Sequence, residues 1–201
     1  KSRDGDTSLH IAAQHGNLEV TAFLLSRGAK KDAKAKDGSS PLSRAVRKRQ
    51  MGIAQFLLDK GAALHRSDRR ELGKQLINAA GANDIALTNA LLMCKADTSA
   101  VDKKGRTPLA IAVDNDHLEI GRLLIGKGVS QADLEAVSLR LMRVCEQGDV
   151  ETVLAFLGMG LKVDVRDSFC ETPLWKAAAA GQVEVVKLLL EWDACLDVKS
   201  L

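Results

Sequence analysis

The sequence contains few aromatic residues and few prolines. Aromatic side chains make up 3% of its 201 residues, tyrosine is absent, and there are three prolines. Any hydrophobic core must therefore be built from Leu, Ile, Val and Ala, which favours regular layers of similar size and hence an internal repeat. With 46% hydrophobic and 27% charged residues, the composition is that of a folded protein.

Long apolar runs and closely spaced cysteines are also missing. No apolar run reaches the roughly 18 residues needed to cross a bilayer, and residues 1–5 lack the apolar stretch of a secretory signal. None of the four cysteines belongs to a Cys-x-x-Cys pair, so we expect reduced thiols. Together these absences predict an intracellular protein, cytoplasmic or nuclear, without membrane association.

An internal period is present along the whole chain. A leucine opens a similar phrase six times at intervals of 32 to 34 residues, namely at Leu9, Leu42, Leu76, Leu109, Leu141 and Leu174. Nineteen residues after each leucine a second apolar segment ends, at Gly28, Gly61, Lys95, Gly128, Gly160 and Asp193. Because the interval varies and this offset does not, insertions and deletions fall between units, where the loops are predicted.

Each unit predicts two helices. Thr107 is typical of an N-cap and Pro108 of the first helical position, where its missing N–H costs nothing. Thr172-Pro173 and Ser40-Pro41 repeat this start. Small residues such as Ala112 follow at helical spacing, so a short inner helix can lie close to its neighbours. A second, more apolar helix then runs to the glycine that ends most units.

These phrases resemble the ankyrin repeat. The opening Asp-x-x-Gly-x-Thr-Pro-Leu is complete from Asp102 to Leu109, and the close Leu-Leu-x-x-Gly-Ala is found at residues 24–29 and 57–62. The resemblance implies an all-α fold, an ankyrin-repeat solenoid of helix-turn-helix units joined by β-hairpin-like loops. It implies a single domain, residues 1–201, with approximate repeats at 1–34, 35–68, 69–101, 102–133, 134–166 and 167–201.

Three units depart from the pattern. The third has Leu72 in place of the opening glycine and Gly73-Lys74-Gln75 in place of the run that contains Thr-Pro, and the fifth has residues 137–140 there. We therefore expect atypical loops and poorly capped helix starts in both; whether they bend the array is open. In the sixth unit Cys170 replaces the glycine, and Phe169 beside it is expected at an exposed tip.

The last residues, 197–201, look like the beginning of a seventh unit. A repeat array is held together by contacts between neighbours, so an unfinished array leaves apolar side chains such as Trp192 partly uncovered. We therefore expect the chain to be an excerpt of a longer, multi-repeat or multidomain protein.

The resemblance also implies where partners dock, because ankyrin repeats usually bind through their hairpin tips and the concave face of their inner helices. By position, the candidate partner-binding residues are Lys36, Asp37, Arg44, Arg47, Lys48, Arg70, Lys103, Lys104, Arg106, Asp114, Arg143, Phe169 and Lys176.

Positive charge is concentrated in one part of the chain. Residues 27–74 carry a net charge of +9, while the whole chain carries +3. A basic stripe raises the association rate and selectivity for an acidic partner, so we predict binding of an acidic protein or peptide. An ordinary solvated surface is the competing interpretation. Non-catalytic binding of nucleic acid or another polyanion through the same basic stripe is a further alternative. Nucleic acid is disfavoured by the lack of aromatic residues for base stacking.

No catalytic arrangement is recognisable. His10 occupies the place of a histidine that braces a loop in the ankyrin family, and Cys145 lies in a small-residue position where burial is expected. No motif places a nucleophile, and no His and Cys cluster has zinc spacing. The sequence therefore predicts a protein-binding scaffold, not an enzyme, with no metal, cofactor or small-molecule substrate.

Overall fold

The computed structural model describes residues 2–196, and the chain divides into two compact units, 1–102 and 103–201. The predicted start of a seventh unit therefore lies outside the described residues. The first unit contains α1 (Ser8–Gln14), α2 (Leu18–Ser26), α3 (Pro41–Arg47), α4 (Met51–Asp59), α5 (Arg66–Gly81) and α6 (Ile85–Met93). The second contains α7 (Pro108–Asp114), α8 (Leu118–Lys127), α9 (Gln131–Gln147), α10 (Val150–Gly158), α11 (Pro173–Ala179) and α12 (Val183–Glu191).

Each unit consists of three helical hairpins in two layers. In the first unit the inner helices α1, α3 and α5 pack side by side, and the outer helices α2, α4 and α6 form the second layer. The inner helices α7, α9 and α11 and the outer helices α8, α10 and α12 repeat this arrangement in the second unit. The predicted all-α fold is confirmed, and no β-strand forms anywhere in residues 2–196.

The cores of both units are built from the residues that define the period. The six leucines are buried, with Leu42, Leu76, Leu109 and Leu141 fully so. Small residues such as Ala45 and Ala112 are also completely buried, which lets the inner helices approach closely.

The last positions of the six outer segments confirm the register. All six lie in the left-handed region, with φ between 60° at Lys95 and 90° at Gly160. Lys95 and Asp193 take this conformation without being glycine, at some cost in backbone energy. Proline also acts as predicted: Thr107 accepts a hydrogen bond from the N–H of Ala110 at 3.3 Å, and Pro108 begins α7.

The third and fifth repeats differ from the prediction. Their inner helices, α5 and α9, have 16 and 17 residues, while the other four have seven. Helix replaces the expected β-hairpin-like loop, so the predicted repeat boundaries at 68/69 and 133/134 lie inside α5 and α9. Neither repeat has a proline before its key leucine to exclude a helical residue there, so the helix continues toward the N-terminus.

The starts of these long helices are capped, so the expectation of poor capping was wrong. Ser130 accepts a hydrogen bond from the N–H of Asp133 at 3.1 Å, and its hydroxyl donates to the Asp133 carboxylate at 2.6 Å. At the start of α5 the His65 N–H donates to Asp68 at 3.1 Å. Both caps lie about ten residues before the point at which the period predicted a helix start.

Candidate functional site

Arg44 is held between two carboxylates of the first unit. Its guanidinium contacts Asp6 at 3.0 Å and Asp37 at 3.5 Å, and Arg47 contacts Asp37 at 3.5 Å. The side chains of Arg44 and Asp6 are 20% and 11% exposed, so this pair is partly shielded from water. Three predicted binding residues therefore belong to one internal ion-pair cluster, and Arg44 is not a free cation.

Asp37 is fixed by the turn in which it lies. The Ser39 hydroxyl donates to its carboxylate at 2.6 Å and the Ser39 N–H at 3.0 Å. These two bonds, the hydroxyl first, together with the charges of Arg44 and Arg47, lower the pKa of Asp37 from 3.8 to about 2. Asp37 therefore remains charged over the whole physiological pH range and neutralises part of the basic stripe.

The predicted residues Lys36, Asp37 and Arg44 line one open cavity of about 510 Å³. Its other lining residues are Asp4, Asp6, Ile11 and Gln14. The backbone N–H of Lys36 donates to the carbonyl of Asp4 at 2.9 Å, which holds the hairpin tip against the N-terminal turn. With three carboxylates and two cations, this cavity is of mixed charge and does not select for acidic ligands.

A predominantly basic surface instead lies on the first turns of α5. Arg66, Arg69, Arg70 and Lys74 are all exposed, and their spacing places them on one face of the helix. We call these four residues the α5 basic face. None of them forms an ion pair within the described part of the chain.

The same part of α5 also contains two carboxylates, Asp68 and Glu71. Asp68 is buried and accepts the His65 N–H, and Glu71 accepts the side-chain amide of Gln75 at 3.2 Å. Lys34, in the loop before α3, adds a further cation beside the start of α5, because its ammonium donates to Nε2 of His65 at 2.5 Å. Of these four residues only Arg70 is predicted from the sequence, since the other three become its neighbours only when the expected loop is helical.

In the second unit, Asp114 is paired with two arginines. Arg106 contacts it at 3.7 Å and Arg140 at 3.5 Å, and Arg140 also contacts Asp116 at 3.0 Å. The predicted residues Arg106 and Asp114 are thus partners of each other.

Lys176 also pairs within the chain. Its ammonium forms a short ion pair with Glu171, contacts Asp167 at 3.4 Å, and lies 5.3 Å from the centre of the Trp175 ring. The hydrogen bond to Glu171 is the main reason why the pKa of Lys176 is raised. Phe169, by contrast, is 75% exposed in the preceding turn, as predicted.

The other predicted residues lie on the surface. Lys48 is exposed at the end of α3, Arg143 is exposed on α9, and Lys103 and Lys104 are exposed before α7. The set is therefore divided between the two units. Asp37, Arg44 and Arg47 form one ion-pair cluster, with Lys36 on the same cavity, and Arg106 and Asp114 form a separate pair.

His10 has a structural environment. It is fully buried; the Thr7 N–H donates to its Nδ1 at 3.1 Å, so the proton lies on Nε2, which donates to the Ser39 carbonyl at 3.1 Å. The ring thus joins α1 to the following hairpin, as expected from its position in the repeat.

The buried thiols are also poor nucleophiles. Burial raises the pKa of the Cys94 thiol to about 11 and that of Cys145 to about 12, so both are protonated at neutral pH. Within residues 2–196, no three His, Cys, Asp or Glu side chains lie close enough together to hold a metal ion. In the same residues, no helix has the length and apolar character needed to cross a membrane.

Comparison with known families agrees with the fold. A family model of ankyrin repeats in three copies matches residues 1–68 and 76–138, and a model of ankyrin repeats in many copies matches residues 141–190. The chain belongs to the ankyrin-repeat family. Ankyrin repeats are generally protein–protein interaction modules and typically have no catalytic activity.

One similar protein is a homologue of the transient receptor potential cation channel subfamily A member 1 from Caenorhabditis elegans. It is 30% identical over 192 residues, which are 95% of this chain and 16% of that protein. The ankyrin chain thus spans about a sixth of this relative. Among solved structures, the ankyrin repeat domain of Bcl-3, a member of the IkappaB protein family, matches with a TM-score of 0.50 and 24% identity, covering 98% of this chain and 91% of that one.

Proposed function

We propose that this ankyrin-repeat chain binds an acidic segment of a partner protein through the α5 basic face. The observation that carries the proposal is the set of four exposed cations, Arg66, Arg69, Arg70 and Lys74, on one face of a capped helix. Asp68 is buried and Glu71 is hydrogen-bonded to Gln75, and no ion pair joins either of them to these cations in the described part of the chain, so all four cations can meet a ligand.

The α5 basic face is better placed than the cluster at Arg44. A ligand carboxylate at Arg44 must displace Asp6 or Asp37, whereas one at the α5 basic face displaces only water and salt ions. Exposed Lys36, Lys48 and Lys34 add positive charge to the same unit. We therefore assign the affinity for acidic ligands to α5 and only a supporting role to the predicted residues of the second repeat.

A protein ligand is favoured over nucleic acid. The α5 basic face contains no aromatic side chain on which a base could stack, and family membership favours a protein. As part of the same proposal, the chain is an intracellular, non-catalytic scaffold, in keeping with four free cysteines.

The test compares two double charge reversals. Arg66→Glu/Arg70→Glu changes the proposed site, and Arg122→Glu/Lys127→Glu makes the same change in net charge at exposed positions of α8. Binding of a fluorescent Glu- and Asp-rich peptide of about 15 residues should weaken by about tenfold or more in the first variant and by less than about twofold in the second, at ~0.15 M salt.

Three results would contradict the proposal. An equal decrease in peptide affinity in both variants would mean that binding depends only on net charge. Unchanged affinity in both would mean that α5 is not part of the site. Tighter binding of a DNA duplex of about 20 base pairs than of the peptide would favour the nucleic-acid alternative. Affinity capture from nuclease-treated lysate with the same variants would then show which cellular proteins depend on the α5 basic face.

A further inference from the structure

The second unit has an open groove of about 690 Å³ beside the N-terminal half of α9. One wall is a single face of this helix, made by Gln131, Leu134, Glu135, Ser138, Leu139 and Met142. The opposite wall is the segment 160–168 that follows α10. We call this the α9 groove; it exists because α9 begins about ten residues earlier than the inner helices of the regular repeats.

The α9 groove is apolar inside. Met142 and Leu161 are buried beneath it, and Ile125 and Val165 add further aliphatic surface. Ser138 is a buried polar residue of the groove, and its hydroxyl donates to the carbonyl of Leu134 at 2.7 Å. The floor therefore presents no unsatisfied polar side chain and favours aliphatic groups of a ligand.

Leu139 stands at the edge of the groove and is 54% exposed. A single exposed leucine is ordinary, but this one continues an apolar surface that reaches the core of the unit. Its exposed fraction would decrease when a ligand fills the groove.

Two cations stand on the rim that segment 160–168 forms. Lys162 and Arg166 are exposed and form no ion pair with any described residue. Of the two carboxylates that line the groove, Asp167 contacts Lys176, and Glu135 lies on the helical wall, where it accepts the side-chain amide of Gln131 at 3.3 Å. A ligand with a carboxylate beside its apolar groups therefore complements the rim.

The length of the groove indicates the form of its ligand. From Gln131 to Met142 the helix rises by about 16 Å, and an extended segment of about five residues covers that distance. We propose that the α9 groove binds a short extended segment of a partner protein, with adjacent aliphatic side chains in the groove and an Asp or Glu beside Lys162 and Arg166.

The helical wall is held in place before any ligand arrives. The Asp133 carboxylate accepts the Thr107 hydroxyl at 2.6 Å and the Ser130 hydroxyl at 2.6 Å, which ties the start of α9 to the start of α7. A preformed wall reduces the entropy lost on binding, so a short peptide can bind with measurable affinity.

The experiment uses displayed random peptides of about ten residues, twice the length that spans the groove. They are selected on the full chain in the presence of excess soluble Leu139→Asp variant, which removes peptides that bind elsewhere. Affinities of the enriched peptides are then measured on the wild type, on Leu139→Asp, on Lys162→Glu/Arg166→Glu and on Leu154→Asp. Leu154 is the matched control, because it is 46% exposed on α10 and lies outside the groove.

The enriched peptides should contain at least two adjacent aliphatic residues and a neighbouring Asp or Glu. Their dissociation constants should rise by about tenfold or more with Leu139→Asp and by about threefold or more with the charge reversal, and should stay within about twofold with Leu154→Asp. Circular dichroism checks that each variant is folded. Failure to enrich any family, or equal affinity for the wild type and Leu139→Asp, would overturn the proposal. The α5 variant Arg66→Glu/Arg70→Glu should bind these peptides normally, so the two proposed sites are tested independently.

Discussion

At the scale of single residues, the positive charge available on the surface of the first unit depends on which cations form ion pairs with carboxylates. Arg44 is placed by its helix where Asp6 and Asp37 both reach it, and Asp37 is oriented by two hydrogen bonds from Ser39. A residue that looked like a free binding cation is therefore part of the internal structure. Free positive charge remains where no carboxylate is available, as at Arg66 and Arg70.

The lowered pKa of Asp37 predicts how the stability of the chain depends on pH. Its pKa in the folded chain is about 2, below the usual 3.8, so its stabilising contribution is present above pH ~4 and is lost as the pH falls toward ~2. Asp37→Asn should lower the urea midpoint at pH ~6, and the difference from the wild type should shrink between pH ~4 and ~2. A difference that stays constant over that range would contradict this assignment.

Ser39→Ala provides the companion measurement. The Ser39 hydroxyl is the largest single cause of the low pKa of Asp37, so its removal should raise that pKa and reduce the same pH-dependent difference. If only the Arg44 and Arg47 charges mattered, Ser39→Ala would leave the pH profile unchanged.

At the scale of secondary-structure elements, α5 and α9 distinguish this chain from a regular ankyrin array. Their N-terminal halves form the α5 basic face and one wall of the α9 groove. Both proposed binding surfaces thus arise where the repeat pattern is broken. Signals for the longer helices were present in the sequence: no proline occurs between residues 66 and 81 or between 131 and 147, and Ser130 and Asp133 have the spacing of a capping pair.

Substitution of Asp133 tests how much this capping contributes to stability. Asp133→Ala removes the acceptor for both the Ser130 and the Thr107 hydroxyls and should lower the free energy of unfolding by about 1–3 kcal/mol. The control is Asp149→Ala at the start of α10, where the carboxylate accepts hydrogen bonds from Glu151 and Thr152 of its own first turn. That change should cost no more than about 1 kcal/mol. An equal decrease in the free energy of unfolding for the two variants, measured by urea denaturation, would show that the hydrogen bond to Thr107 contributes nothing to stability.

At the scale of the whole molecule, the chain divides into two compact units with three helical hairpins each. Each unit has its own buried leucines and small residues, so each contains the elements of a core. Three repeats are about the minimum at which an array of this type is stable. That residues 1–201 act as a single domain stays a prediction.

This division predicts how fragments behave. A fragment of residues 1–102 should be helical and should unfold cooperatively, because it keeps all three hairpins of the first unit. A fragment of residues 1–68 keeps two hairpins and only the beginning of α5, so it should be largely unfolded. Circular dichroism and thermal unfolding distinguish these outcomes. Stable folding of the shorter fragment, or none in the longer one, would contradict the prediction.

Much of the fold could be predicted because its determinants are local. The period of the leucines, the Thr-Pro starts and the left-handed positions that end each unit involve residues close in sequence, and all were located correctly. The long helices are the exception, because the family pattern implies loops before Leu76 and Leu141. The Ser130 cap and the absence of proline in these segments favour helix instead.

The sequence by itself determined the repeat, its register and the excess of positive charge in residues 27–74. Only the tertiary structure decided which of those charges are available. Arg44 and Asp6 are 38 residues apart in the chain, and their ion pair forms because α1 and α3 pack side by side. Likewise, the α9 groove exists because segment 160–168 lies against a helix that begins about 30 residues earlier. Pairing and cavities of this kind depend on contacts between distant segments, which periodicity and local capping do not specify.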